Sequence, residues 1–373
     1  MFIMSTTTTP IISNAKTITI LSQEQLFLLF KNPVLVIRFY QIGYLFTFLL
    51  GFPGNIASLF TFSQPTLRKI STGCLFITLA ISDTLYLLIC IFDFLEFGLQ
   101  IRFYHYVAYD ELCRFRSFIM NVTQISSAWI LVIVSIDRWI RTRFPFKSGS
   151  ICTPKKALIA VGVLLVADIA IHAHILTPMF GIFIPGFSIV ACGPTLTNMP
   201  YFQFYFMTWS IVQIFTTCLV PAAIMLVILI DIFIIVRARK RVAIRPVQFA
   251  CCNKNMKQQN ILQKQIFILM LASICIFLIT CLPLAIYRVQ SPRQGAMSLT
   301  IFQIVSIWAS LGWFQSLFHA VSFYIHCLSS TFFRKQFKER IKRILNGRRP
   351  PVILMESTAT VQRIQPREAL TKY

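Results

Sequence analysis

The sequence predicts an all-α membrane protein, a seven-transmembrane helix bundle with a short amphipathic helix after the seventh span. Three observations lead there. Of its 373 residues 56% are apolar and 14% aromatic, with a mean hydropathy of +0.71, far above a soluble domain of this length. Seven nearly uncharged stretches are each long enough, at about 20 residues, to cross roughly 30 Å of hydrocarbon. The charged residues fall mainly between those stretches.

Taken in order, the stretches are 36–62, 71–97, 113–139, 157–180, 205–236, 265–289 and 299–326. Lipid offers no partner to backbone N–H and C=O groups, so each must be a helix. Residues 1–35 form a polar, Thr-rich segment, expected to be extracellular and disordered, without the charged start and long apolar core of a cleaved signal peptide. Residues 36–326 make the transmembrane domain, 327–346 a membrane-surface helix and 347–373 a cytoplasmic tail expected to be disordered. The surface helix follows from Phe333, Phe337, Ile341 and Leu345, which recur at steps of four among Lys and Arg residues. Ser330 or Thr331 could cap it.

Basic residues set the orientation. Of 35 Lys and Arg, 27 lie in the connections after spans one, three and five and in the C-terminal tail. That set is cytoplasmic and the N-terminus outside, as in a multi-pass plasma-membrane protein. Most of the net charge of +23 then faces anionic lipid, where about 1 kcal/mol per basic residue is typical, and nucleic acid is not needed as a partner. Among eleven cysteines only Cys113 and Cys192 face oxidising space, so a disulfide between them is expected, with two free thiols as the alternative. Cys251 and Cys252 sit in a basic inner loop, either palmitoylated or idle.

Polar residues inside the spans need a reason, since a charge at bilayer depth costs at least about 2.5 kcal/mol on insertion scales. Asp83 lies mid-span, with Asn55, Ser127 and Ser322 at comparable depth. Such a set can hold a sodium ion or a water network, or can be a carboxylate simply hydrogen-bonded to neighbouring helices. His172 and His174 are two apart on a helix and do not face each other, which favours core hydrogen bonding over a metal pair. The sequon at Asn121 is inside a span. No nucleotide-binding loop, metal constellation or activated nucleophile supports enzyme chemistry.

These landmarks together resemble the rhodopsin-like (class A) G-protein-coupled receptors, and in particular the invertebrate FMRFamide-type neuropeptide receptors. The resemblance covers about residues 40–345. It rests on Gly54-Asn55, "LAISD" ending at Asp83, Cys113 lying 25 residues before Arg138, "DRW" at 137–139, Pro145, Cys192, Pro221, Phe277, Pro283 and "FRKQF" after span seven. It implies a receptor that binds an extracellular ligand and activates a heterotrimeric G protein. The departures are Asp168 near the position of a Trp in span four, Leu229 for a Tyr in span five and Cys281 for a Trp in span six. In span seven Ser322, Phe323 and His326 stand for the Asn, Pro and Tyr of NPxxY, unless Tyr324 takes the Tyr role.

The resemblance makes Asp137 and Arg138 a switch at the inner end of span three: Arg138 pairs with Asp137 at rest and meets a partner's carbonyls when span six swings out. Positive-inside anchoring by Arg138, Arg141 and Arg143 is the plainer alternative. Span six supplies no acid to lock Arg138, only Gln263 and Lys264. For the ligand pocket, Met120 replaces the Asp of amine receptors, which argues against an amine. Asp93 and Glu96 could clamp an arginine of a short, amidated neuropeptide, or pair internally with Arg114 or Arg116. Tyr287, Arg288, Phe302 and Trp308 would complete the wall. Different classes remain: a channel or transporter, though no internal repeat is seen, and a signalling-silent seven-helix receptor.

Overall fold

A computed structural model describes residues 34–101, 109–182, 192–195, 197–243, 253–290, 301–329, 334 and 337–342. Seven long helices account for most of them: α1 (Val34–Phe62), α2 (Ser71–Asp93), α3 (Tyr109–Arg143), α4 (Pro154–His172), α5, α6 (Asn253–Gln290) and α7 (Ile301–Ser329). α5 is built from Met199–Gln203, Ser210–Ile214 and Val220–Ala243, joined by π turns at Phe204–Trp209 and Phe215–Leu219. Helices α1 to α6 are long and apolar enough to cross a membrane over their described residues. α7, 29 residues long, packs against α1 and α6 and closes the bundle.

Each expected span coincides with one helix, and the ends differ for local reasons. α3 begins at Tyr109 rather than 113, because Asp110 and Glu111 suit its first turn as Arg141 and Arg143 suit its last. α4 stops at His172 and finishes in a 3-10 turn, Ala173–Leu176, because Pro178 holds the preceding residue extended. Phe180–Ile182 is therefore not helical: as β1 it pairs antiparallel with β2, Cys192–Pro194. α5 starts at Met199 rather than 205, where the Asn198 side chain accepts the Tyr201 N–H and Pro200 occupies the first turn. The second π turn precedes Pro221, whose missing N–H cannot serve the Thr217 carbonyl.

Three apolar clusters hold the bundle. The largest joins α2, α3, α5, α6 and α7 through Leu75, Leu79, Ile130, Met225, Phe277 and Phe318. A second lies between α1, α2 and α7 around Tyr40, Tyr44, Tyr86 and Leu87, and a third under the hairpin around Cys113, Phe118 and Phe180. Large apolar side chains left exposed, such as Leu158, Val163 and Val166 on α4, face outward where lipid would be the solvent.

Beyond α7, residues 337–342 are helical. The Phe337 ring lies 5.4 Å from Phe323, and the Arg340 guanidinium stacks 4.7 Å over Phe60, so this segment docks beneath α1 and α7. Phe333, Leu345, the caps Ser330 and Thr331, the cysteines Cys251 and Cys252, and most of the terminal segments lie outside the described residues.

Candidate ligand cavity, polar core and inner-face switch

At the end of the bundle that carries the hairpin, Cys113 and Cys192 are joined by a disulfide, with their Cα atoms 5.6 Å apart, which ties the hairpin to the start of α3. Arg114 Nε adds a hydrogen bond to the Phe180 carbonyl at 2.7 Å. The backbone at Gly181 comes so close to Asp110 that a Cβ there would lie 2.4 Å from its carboxylate.

Asp93 and Glu96 do share one face, but they are not an open clamp for a ligand's arginine. Arg116 Nη1 lies 2.7 Å from Glu96 and 3.4 Å from Asp93, and the Tyr109 hydroxyl also donates to Glu96. Both carboxylates are buried, Asp93 to 9% and Glu96 to 2% exposure. Internal pairing is what forms, and geometry selects its cation. Arg114 and Arg116 project about 200° apart on one helix, so only Arg116 can face α2 while Arg114 faces the hairpin.

Below this layer a cavity opens between α3, α5, α6 and α7, lined by Gln124, Gln213, Thr217, Cys281, Arg288 and Gln315 among others. Gln213 is oriented by a 2.7 Å hydrogen bond to Asn121. Arg288 is the one charged group in this lining, and no ion pair to it is formed among the described residues. Trp308, 46% exposed, is seven residues above Gln315 and so shares its face two turns toward the mouth. Tyr287 is partly buried on α6 beside Arg288. Met120 packs against the Tyr86 cluster. The side chain of Phe302 lies outside the described residues.

The four polar-core residues converge, and a fifth joins them. Asp83 Oδ1 accepts from Ser127 at 2.8 Å and Oδ2 from Ser322 at 3.0 Å. Ser127 and Ser82 are 2.9 Å apart, and Asn55 donates to the His319 carbonyl at 3.2 Å. His319, absent from the expected set, puts Nδ1 2.7 Å from Asp83 Oδ1 and stacks on Tyr86 at 3.8 Å. Its sequence signal is a histidine one turn before Ser322, one of two histidines in an apolar span. Asp168 is likewise buried, its Oδ2 accepting from Ser126 at 2.7 Å, while His172 Nδ1 lies 2.9 Å from the Asp168 backbone carbonyl and His174 meets Tyr201 at 2.9 Å. The two histidines thus go to separate partners, and among the described residues no group of three or more potential ligands is arranged for a metal.

At the opposite end of α3, Asp137 and Arg138, expected to form a charge pair, make no direct hydrogen bond to each other, and Asp137 turns to other partners. Asp137 accepts from Ser71 at 2.5 Å, Thr72 at 2.6 Å and Arg141 at 3.1 Å. Arg141 lies one turn below Asp137 on the same face, whereas the adjacent Arg138 points about 100° away. Ser71 and Thr72 can reach because the chain before α2 doubles back over Gly73, where a Cβ would meet the Leu67 carbonyl at 2.1 Å. Arg138 keeps a buried Nε with no hydrogen-bond partner among the described residues. Beside it, Trp139 Nε1 donates to Asp231 of α5 at 2.6 Å, a tie whose sequence signal was the lone acid of span five. Just outside the spans, Cys152 directs Sγ toward the Asp137 carbonyl at 3.8 Å, and burial, with the Asp137 charge nearby, pushes its thiol up to about 11. The side chains of Gln263 and Lys264 lie outside the described residues.

Comparison with known proteins agrees with this architecture. Residues 54–327 match the family described as 7 transmembrane receptor (rhodopsin family). Among curated proteins, cysteinyl leukotriene receptor 2 of Sus scrofa is 32% identical over 127 residues, 34% of this chain and 36% of that protein. The galanin-like G-protein coupled receptor npr-9 of Caenorhabditis elegans is 24% identical over 172 residues, 44% of this chain and 38% of that protein. Galanin receptor 2b of Danio rerio is 29% identical over 135 residues, 36% of this chain and 34% of that protein. The chain therefore spans little more than a third of the length of these relatives.

Proposed function

Since this chain belongs to the rhodopsin family of seven-transmembrane receptors, we propose that it binds an extracellular ligand in the outer half of its bundle and activates a heterotrimeric G protein at the cytoplasmic face. The observation that carries the reading is Arg138. Its neighbour Asp137 is saturated by Ser71, Thr72 and Arg141, while the Arg138 Nε is buried without a hydrogen-bond partner among the described residues. A cation kept uncommitted there suits the carbonyl groups of an incoming partner helix. The basic loops favour an N-terminus outside and a tail inside.

The ligand is a short peptide. An amine meets no carboxylate among the described residues that line the cavity, Met120 is apolar, and Asp93 and Glu96 are paired with Arg116. The lining of glutamines with Arg288 suits backbone carbonyls and a terminal carbonyl or carboxylate. Relatives named for galanin support a peptide, and the narrower FMRFamide-type likeness rests on the motif set alone. Relatives named for cysteinyl leukotrienes, together with the cationic Arg288, favour a lipid carboxylate as the second reading. Expression in cells with a G-protein readout, screened against amidated and free-acid peptides, amines and lipid carboxylates, tests this directly. Activation by an amine alone would refute the pocket assignment.

A further inference from the structure

We propose that His319 occupies the place a sodium ion would take beside Asp83, so that the core of this receptor is locked by a side chain and does not use sodium. A hard cation needs several oxygen ligands free to turn toward it. Here each is already directed elsewhere. Asp83 Oδ1 accepts from both Ser127 and His319, and Oδ2 from Ser322. Ser82 gives its proton to the Thr123 carbonyl, and Asn55 points its amide nitrogen, not its oxygen, at the His319 carbonyl.

The imidazole itself fills the space. His319 and Asp83 are both 0% exposed, Tyr86 stacks on one side of the ring at 3.8 Å, and Phe318 sits edge-on at 4.9 Å. The ring nitrogen 2.7 Å from Oδ1 shares a hydrogen bond with it and so closes the approach of a cation to that oxygen. The other nitrogen, Nε2, is buried with no partner among the described residues, so the ring's single polar anchor is Asp83. The one other carboxylate at this depth among the described residues, Asp168 of α4, is taken by Ser126, which points about 100° away from Ser127 on α3. The next along α2, Asp93, is ten residues on, about 15 Å of helix, and is paired with Arg116. A sodium ion could enter only by expelling the ring from the carboxylate. The interaction linking α2 to α7 is therefore a direct side-chain contact, independent of the extracellular ion.

The test needs no ligand. The full chain, purified in detergent, is melted in sodium chloride and in choline chloride at equal ionic strength, alongside His319→Asn, His319→Ala and the double variant His319→Asn with Asp83→Asn. Wild type should melt at the same temperature in both salts. The single variants, with the carboxylate uncovered, should gain a sodium-specific rise of about 2–4 °C, as expected for a site several-fold above its dissociation constant, and the double variant should lose it. A sodium-specific rise in wild type overturns the proposal. So does its absence in a single variant that folds, because the ring would then not be standing in for the ion. Should neither variant fold, the wild-type comparison alone decides.

Discussion

The indole Nε1 of Trp139 donates to a carboxylate oxygen of Asp231 at 2.6 Å, joining α3 to α5 beside Arg138. A hydrogen bond to a charged acceptor contributes about 1.5–3 kcal/mol. Trp139→Phe and Asp231→Ala should each lower the melting temperature by roughly 2–6 °C, and their effects should not add. Trp139→Tyr keeps a donor and should fall between. Additive losses in the double variant would show that the two residues act separately.

Arg116 is expected to be the most sensitive residue of the outer half. Arg116→Ala leaves Asp93 and Glu96 buried without a cation, which costs about 3–5 kcal/mol when a buried pair is broken. Surface expression should collapse. Adding Asp93→Asn and Glu96→Gln removes the stranded charges and should restore much of it, whereas a rescue that fails would mean that Arg116 serves another purpose.

Losing the Cys113–Cys192 bond should cost about 2–4 kcal/mol. Cys113→Ala and Cys192→Ala should reduce surface expression to the same degree, singly and together. Cys275→Ala, at an exposed position, should leave it unchanged. Peptide mapping without reductant that recovers both outer cysteines as free thiols would contradict the assignment.

Cys152 should react slowly. With its thiol pushed up to about 11, its thiolate fraction at neutral pH falls roughly a hundredfold below that of an ordinary cysteine. Iodoacetamide labelling of the folded receptor, followed by mass spectrometry, should show Cys152 lagging the same residue in unfolded protein by about that factor. The lag should shrink as pH rises, because the thiolate becomes accessible only as pH approaches the raised value. Equal rates at pH 7 would disprove it.

The fold was legible because lipid imposes a rule on composition: spans must be apolar and helical, and all seven appear. Ends were less legible, being set by single residues such as Asn198 or Pro178 that propensity over a window averages away. Within the site, Asp83, Asn55, Ser127 and Ser322 were found by depth alone, since polar groups in a bundle interior must converge. What sequence could not decide was which of two neighbouring cations pairs with a given acid. That choice rests on a rotation of about 100° per residue, which assigned Asp137 to Arg141 and Glu96 to Arg116. His319 is visible as a polar residue in an apolar run, but its role depends on the helix that faces it, which the sequence does not give.

An Arg138 held in reserve for a G protein should reveal itself in guanine-nucleotide exchange. Purified receptor in lipid vesicles, mixed with heterotrimers of every G-protein class, should accelerate guanine-nucleotide exchange on at least one of them above vesicles without receptor. Asp137→Asn, which loosens the Ser71 and Thr72 contacts from α2 and the Arg141 contact within α3, should raise that rate further. Arg138→Ala should return it to the background while the receptor remains folded. Exchange in Arg138→Ala equal to wild type, or no exchange by wild type and Asp137→Asn with any class, would contradict the account.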